Sequence, residues 1–323
     1  MLPHIPVLVG PTCSGKTAVS IELARMISGE IISADSRQVY RFLDIGTAKP
    51  TREQRAAVPH HFVDCRNPDE VFTAGEFGIE GRRCIDDILA RGNVPVVVGG
   101  SGLYVRSLTD GLFEGPGSDP EIRELLEARV AQGQIAELIR ELAAVDPVTA
   151  ERADPTKPRR VIRALEVYYL TGKPISAHHA ESRPEIRFEP VFFGLLRDRA
   201  ALYRMIEERC DLMLAEGLEQ EAESLRDRGY DRRLSALNTV GYAEVFACQA
   251  GEISREEMIR LFKQNSRRYA KRQMTWFRKE PGVRWFEGCG DDPRVQESAI
   301  RHLRSEMAEA RNETERLHAE TAT

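Results

Sequence analysis

The sequence predicts an α/β fold, a P-loop NTPase-like parallel sheet core interrupted by an all-helical insertion domain. Three observations carry this prediction. Gly10–Thr17 reads Gly-Pro-Thr-Cys-Ser-Gly-Lys-Thr, with the apolar run Ile5–Val9 before it and Val19, Leu23 and Ile27 at helical spacing after it. Val94–Val98 is an unbroken apolar run closed by Gly99, Gly100 and Gly102, which fits a strand buried on both faces of a parallel sheet. Between about residues 118 and 185 no strand pattern occurs, only apolar residues at helical spacing.

Composition bounds the class. A chain of 323 residues has room for one large α/β domain or two smaller ones. With 41% hydrophobic and 30% charged residues it reads as an ordinary globular protein. The longest apolar run is far too short to cross a membrane. Met1–Val9 has neither a basic start nor the apolar core of a signal peptide. The six cysteines form no C-x-x-C pair, so they read as reduced thiols of a cytoplasmic protein, not as zinc ligands or disulfides. A net charge of −5 excludes a globally basic nucleic-acid binder. It hides a local asymmetry, because Arg260–Lys279 contains eight Lys or Arg and no Asp or Glu.

Gly10, Pro11, Thr12, Cys13, Ser14 and Gly15 form the expected phosphate cradle. Backbone N–H groups of such a loop point at the anion, and the following helix N-terminus adds positive potential. Lys16 is expected to reach the terminal phosphate, and the Thr17 hydroxyl to ligate Mg2+. Cys13 reads as a small filler at a variable loop position.

Glu30–Ala34 is the next expected strand, followed directly by Asp35-Ser36-Arg37-Gln38-Val39-Tyr40. Ligands collect at the carboxyl ends of strands in open α/β sheets, so Asp35 and the phosphate loop are expected to face one cleft. Asp35 reads equally well as a turn or N-cap aspartate. Asp44–Pro50 reads as a loop, Pro59–Asp64 as a short strand with flanks, and Thr73–Arg91 as a helix. His60 and His61 cannot both face one side of a strand, which argues against a metal site. The Val94–Val98 run does not end in the acidic residue that holds the magnesium shell of a motor ATPase. No [NT]-K-x-D base-reading motif of a GTPase occurs either.

A boundary is expected near Gly115-Pro116-Gly117-Ser118. Asp119-Pro120 is an N-cap followed by proline at the first helical position. Helices follow through Ile122–Val130, Ile135–Leu142, from Asp146-Pro147, and Arg159–Leu170, the last stopped by Gly172 and Pro174. Arg159, Arg160 and Arg163 cluster on that last helix, as a solvated basic face or as a contact to a phosphate backbone. Val191–Leu196 returns the chain to the sheet, with helices expected over Leu202–Leu214, Leu218–Leu225 and Val240–Ala250.

Ser254-x-x-Glu257 is a capping-box signature that opens a long helix. On it Arg260, Lys263, Arg267, Lys271 and Arg278 recur at steps that share one face. Arg268 and Arg272 widen the stripe, and Tyr269, Trp276 and Phe277 interleave aromatics, a pattern suited to nucleic acid. Beyond Gly290 the chain is polar, with one weak helix near Val295–Leu303 and a disordered last dozen residues expected. The resulting division is residues 1–117 and 189–288 for the core, 118–188 for the insertion domain and 289–323 for a tail.

In this order, Gly10–Thr17, Asp35–Tyr40, Asp44–Pro50, His60-His61-x-x-Asp64, Val98–Tyr104, Arg159–Gly172 and Val240-Gly241-Tyr242 resemble the bacterial tRNA dimethylallyltransferases, also called isopentenyl-tRNA transferases. The resemblance covers about residues 5–285. It implies transfer of the dimethylallyl group from dimethylallyl diphosphate to the exocyclic N6 of the adenosine immediately 3′ of the anticodon, in tRNAs that read codons beginning with U. Diphosphate leaves and magnesium is required. The resemblance also implies that the anticodon stem-loop is clamped between core and insertion domain. A monomer without a membrane partner is expected. Lacking the C-terminal zinc finger and transit peptide of many eukaryotic relatives, the chain reads as bacterial in type.

Residue roles follow from the same resemblance. Asp35 would be general base toward the amine, with Lys16 and Thr17 stabilising the leaving diphosphate. Ser36, Arg37 and Gln38 match the tRNA-reading segment, with Gln38 free to bond a base edge. Arg159, Arg160, Val161, Ile162 and Arg163 match a second tRNA-contact segment. Arg123 matches a contact on the insertion helix, and Arg209 a substrate-binding arginine. The charge pattern of the helix after Ser254, not the resemblance, adds Lys263, Arg267 and Lys271 to the tRNA-binding set. Ser101 stands where the family usually has threonine, a residue that contacts the target nucleotide and helps hold the diphosphate. Serine keeps the hydroxyl, so function is expected to survive. The rival reading is a P-loop kinase for a small metabolite or nucleoside, which shares the cradle but has no use for basic helices.

Overall fold

The computed structural model describes residues 2–112, 115–117, 119–181, 185–288, 290 and 292–305. Ser118, Cys289 and the expected disordered end of the tail lie outside them. Two compact units divide the chain: Met1–Thr109 with Ile186–Thr323, and Asp110–Glu185.

The first unit is built on six parallel strands: β1 His4–Val9, β2 Gly29–Ser33, β3 His60–His61, β4 Val94–Gly99, β5 Glu189–Leu196 and β6 Arg284–Glu287. Their order is β3-β2-β4-β1-β5-β6, so β1 lies between β4 and β5. Val9 pairs with Gly99 on one side and Gly194 on the other. The carboxyl ends of β1, β4 and β2 therefore lie side by side, and each opens into one of the expected ligand loops.

Both sheet faces are buried, as a parallel sheet requires. Ile5, Val7 and Val9 of β1 join a large core with Ile32, Val97 and Phe192. That core is covered by α3 Ala74–Ala90, α4 Gly102–Thr109, α10 Arg199–Ala215, α11 Leu218–Asp227, α12 Tyr242–Gln249 and α13 Arg255–Phe277. Leu8, Ile31, Val96 and Phe193 point the other way, onto α1 Lys16–Met26 and onto Ala299, Ile300 and Leu303 of the helical residues 293–305.

The second unit packs α5 Pro120–Ala131, α6 Ile135–Val145, α7 Pro147–Ala150, α8 Pro158–Thr171 and α9 Ile175–Glu181 around Leu126, Leu138, Leu142, Val161 and Leu165. Asp119 caps α5 by accepting the Glu121 and Ile122 N–H groups, and Gly172 closes α8 in the left-handed conformation.

Four elements escape sequence patterning. The short helices α2 Arg52–Ala57, α4 and α9 have at most eight residues, and β6 is an edge strand of four residues in a polar stretch. Conversely, the expected strand over Pro59–Asp64 narrows to His60–His61. Phe62 and Asp64 both adopt positive φ, which breaks the strand there. Among the described residues no helix is long and apolar enough to cross a membrane.

Candidate functional site

A cavity of about 980 Å³ opens at the carboxyl ends of β1, β2 and β4. Lys16, Thr17, Asp35, Arg209, Tyr269 and Gln273 are among its lining groups, all from the first unit. The structure thus brings the phosphate loop and Asp35 to one cleft, as the strand-end argument expects.

The loop conformation follows from its glycines. Gly15 is left-handed (φ 88°) and starts α1, so it needs no cap side chain to turn the chain. At Gly10 (φ 151°) a Cβ would lie 3.0 Å from the Leu195 carbonyl, so only glycine lets β1 hand over to the loop beside β5. Cys13 also takes positive φ (61°), and its thiol lies against Arg209 Nη1 at 3.5 Å. Arg209 Nη1 further donates to Thr12 Oγ1 at 3.2 Å, which puts this arginine of α10 at the loop itself.

Lys16 Nζ folds back and donates to the carbonyls of Gly10 (3.0 Å) and Pro11 (2.7 Å). Burial pushes its pKa down to about 8, and Arg209 adds to this, against the opposing pull of Asp35 and Cys13. A half-buried ammonium bonded, among the described residues, to neutral carbonyls is stabilised by an incoming anion. The Ser14 hydroxyl is fully buried and has no hydrogen-bond partner among the described residues.

Asp35 is both turn residue and free carboxylate. Its Oδ1 accepts the Arg37 N–H at 2.8 Å and, more weakly, the Gln38 N–H at 3.4 Å. Both bonds use one oxygen, and among the described residues none donates to Oδ2. Ser101 Oγ accepts the Ser36 N–H at 3.1 Å and lies 3.4 Å from Ser36 Oγ. The Tyr269 phenol also bonds the Ser101 hydroxyl, and burial raises its pKa, with Asp35 adding to the rise.

Gln38 departs from expectation. Its amide nitrogen donates to Thr47 O and Ala48 O, both at 3.2 Å, and its carbonyl oxygen accepts from Ser33 Oγ. The carboxamide therefore secures the Asp44–Pro50 loop and is not free to read a base edge. The same loop is clasped from elsewhere. Glu221 accepts the N–H groups of Asp44, Ile45 and Gly46. Lys49 is buried between Asp44 and Asp64, and Arg55 also pairs with Asp64. His61 pairs with Glu30, alongside Arg91 and Asn93, and His60 Nδ1 lies 2.8 Å from the Val58 carbonyl oxygen. Among the described residues no group of three or more His, Cys, Asp or Glu could hold a metal ion.

In the helical unit, Arg159 and Arg160 are exposed. Val161 and Ile162 are core residues, 1% and 5% exposed, so their side chains pack inward and cannot make the expected tRNA contacts. Arg123 and Arg163 each pair at 2.9 Å with one oxygen of Glu166, whose other oxygen accepts the Asp119 N–H. Glu166 is completely buried, so these two cations neutralise it as well as offering charge outward.

On α13, the basic stripe is not unopposed. Lys263 pairs with Asp211 at 2.7 Å and Arg267 pairs with Glu207, both acids belonging to α10. Arg260 pairs with Glu257 one turn back. Lys271 and Arg272 are exposed, and the Arg272 guanidinium lies over Tyr269.

Sequence patterning passed over one buried polar residue. Gln273 stands on the inward side of α13, in series with Phe262, Ser266, Ala270 and Phe277. Its Oε1 accepts the Thr12 N–H at 2.9 Å, and its Nε2 donates to the Gly100 carbonyl at 3.1 Å. An amide on a mostly apolar helical face, shared only with the small hydroxyl of Ser266, was the available signal.

Comparison with known proteins gives the family of the chain. A family model for IPP transferase matches residues 38–280. The chain is 48% identical to the tRNA dimethylallyltransferase of Geobacter metallireducens, over 89% of this chain and 93% of that one. It is 45% identical to the tRNA dimethylallyltransferase of Pelotomaculum thermopropionicum, over 87% and 90%. Among solved structures, the tRNA isopentenylpyrophosphate transferase of Bacillus halodurans superimposes with a TM-score of 0.72 at 38% identity, covering 98% of this chain and all of that one. A eukaryotic dimethylallyltransferase acting on tRNA gives a TM-score of 0.78 at 27% identity, covering 94% and 77%.

Proposed function

The chain belongs to the tRNA dimethylallyltransferase family, and from that premise we propose how its own residues carry out prenyl transfer to tRNA. The enzyme moves a dimethylallyl group from dimethylallyl diphosphate to N6 of the adenosine 3′ of the anticodon, in tRNAs reading U-starting codons. The single observation that carries this reading is the shared cavity. A cationic phosphate loop and an aspartate with one unengaged oxygen line the same space.

The N6 lone pair forms the new bond to C1 of the dimethylallyl group, the C1–O bond breaks, and that bonding pair leaves with the diphosphate. Lys16, Arg209 and the loop N–H groups bind the diphosphate and take up the charge that develops on it. Lys16 exchanges its carbonyl partners for phosphate oxygens. The amine proton passes to Oδ2 of Asp35, while Oδ1 stays fixed by the Arg37 and Gln38 N–H groups. The adenine must leave its stack to reach this point, a base-flipping requirement. Ser101 and Tyr269 position the Ser36 segment beside it.

The residues present fit a magnesium ion. Thr17 offers a hard oxygen to the cavity, whose lining also includes Ser14, with a buried hydroxyl unpartnered among the described residues, and Mg2+ commonly takes few protein ligands, with phosphates and water completing its shell. Thr17 would hold it, and it would supply charge neutralisation of the leaving diphosphate.

For the tRNA, Ser36, Arg37, Arg159, Arg160, Lys271 and Arg272 carry the contact, with Arg123, Arg163, Lys263 and Arg267 contributing once their internal acids are outcompeted or shared. Action on tRNA and the free thiols favour the cytoplasm.

The test offers radiolabelled dimethylallyl diphosphate with unmodified tRNA in one arm, and labelled ATP with nucleosides in the other. Label in tRNA from the first arm alone is expected. Transfer from ATP alone would favour a kinase.

A further inference from the structure

We propose that Gln273 is a positioning residue that braces the diphosphate cradle from the helix that carries the basic stripe. The inference rests on the prenyl-transfer reading for its substrate, and extends it to a residue that touches no reacting atom.

Gln273 is buried, and both ends of its carboxamide are used on backbone. Oε1 accepts the N–H of Thr12 in the phosphate loop, at 2.9 Å. Nε2 donates to the carbonyl of Gly100, in the turn after β4, at 3.1 Å. These two loops leave adjacent strands, β1 and β4, whose pairing ends, among the described residues, at Val9↔Gly99. One amide side chain joins the two loops beyond that pair. Gln273 lies on α13, two residues after the exposed Lys271 and three before Trp276. Trp276 fixes the same turn, since a Cβ on Gly102 would meet its indole at 2.3 Å. The helix register is therefore read out at the cradle through Gln273.

The neighbourhood of Gly100 supplies an independent check. A Cβ there would sit 2.1 Å from Gln273 Nε2, while its next neighbours beyond that carboxamide are at ordinary contact, the nearest being Gly10 O at 3.5 Å. Gly100 is thus needed as glycine only because Gln273 is present. Removing the amide makes room for the methyl.

The experiment prepares Gly100→Ala, Gln273→Ala, their double variant, and the volume-preserving Gln273→Met. For each it measures the dissociation constants of inorganic diphosphate and of unmodified tRNA, together with the thermal midpoint. Gln273→Ala, Gln273→Met and Gly100→Ala are each expected to weaken diphosphate binding about tenfold, as a buried N–H loses its acceptor or the acceptor is displaced. Affinity for tRNA should stay within about twofold in all of them, whereas a merely structural defect would lower both affinities together. The double variant should bind diphosphate no worse than Gln273→Ala alone. Unchanged or tighter diphosphate binding in folded Gln273→Met overturns the proposal, as does multiplication of the two single effects in the double variant. Diphosphate binding reports on the brace whether or not the wild-type chain transfers a prenyl group, so a failure of the functional reading is seen separately, as absent transfer by the wild type.

Discussion

Ser101 Oγ accepts the backbone N–H of Ser36 at 3.1 Å, tying the turn after β4 to the segment that carries Asp35. The hydroxyl is the functional part of this contact, so Ser101→Thr, which keeps it, should hold kcat/KM within about threefold. Ser101→Ala leaves the Ser36 N–H and the Tyr269 phenol without this partner and should lower kcat/KM about tenfold, about 1.4 kcal/mol. Steady-state prenyl transfer on the two variants checks the pair.

Lys16 gives the pH dependence its sign. A lysine is charged below its pKa, and burial brings this one down to about 8 in the free protein. Diphosphate affinity should therefore hold below that pH and fall as pH rises through it. In Lys16→Arg the guanidinium stays charged, so binding should be weaker throughout but flat across the same range. Calorimetric titration with diphosphate from pH 6.5 to about 9.5 separates the two profiles.

Asp35 serves two purposes through two oxygens, which predicts a split between variants. Asp35→Asn keeps an acceptor for the Arg37 N–H, so the thermal midpoint should be unchanged while kcat falls by about 10² or more. Asp35→Ala should lose the same activity and in addition about 1 kcal/mol of stability from the lost turn bond. Diphosphate affinity should survive in both. Persisting activity in either folded variant removes Asp35 as the base.

The arginines of the helical unit should separate by their partners. Arg159 and Arg160 are exposed, so replacing each by alanine should reduce the salt dependence of tRNA binding by about one counterion and leave stability alone. Arg123 and Arg163 neutralise the buried Glu166. Replacing either should cost stability, about 1–3 kcal/mol, as well as affinity. Binding titrations over a salt series, with thermal melts, resolve the two classes.

Much of this site is legible in the chain because it is local. Strand, glycine loop and helix are contiguous around Gly10–Thr17, and strand-end logic brings Asp35 to the same cleft. What was hidden is what depends on partners distant in sequence. The α13 stripe reads as pure positive charge, yet Glu207 and Asp211 of α10 answer two of its members. Gln38 looks free to read a base until Thr47 and Ala48 fold back on it. Val161 and Ile162 lie inside a matching segment of sequence, but helical periodicity turns them into the core between exposed Arg160 and paired Arg163. Short elements such as α4 and β6 carry too few residues for a period to register.

The most direct test of prenyl transfer to adenine is mass spectrometry of tRNA nucleosides from cells with and without this protein. The account predicts that N6-prenyl adenosine is present with it and absent without it, restored by the wild-type chain and not by Asp35→Asn. Undiminished N6-prenyl adenosine in cells lacking the protein, in the absence of a second such enzyme, would contradict it.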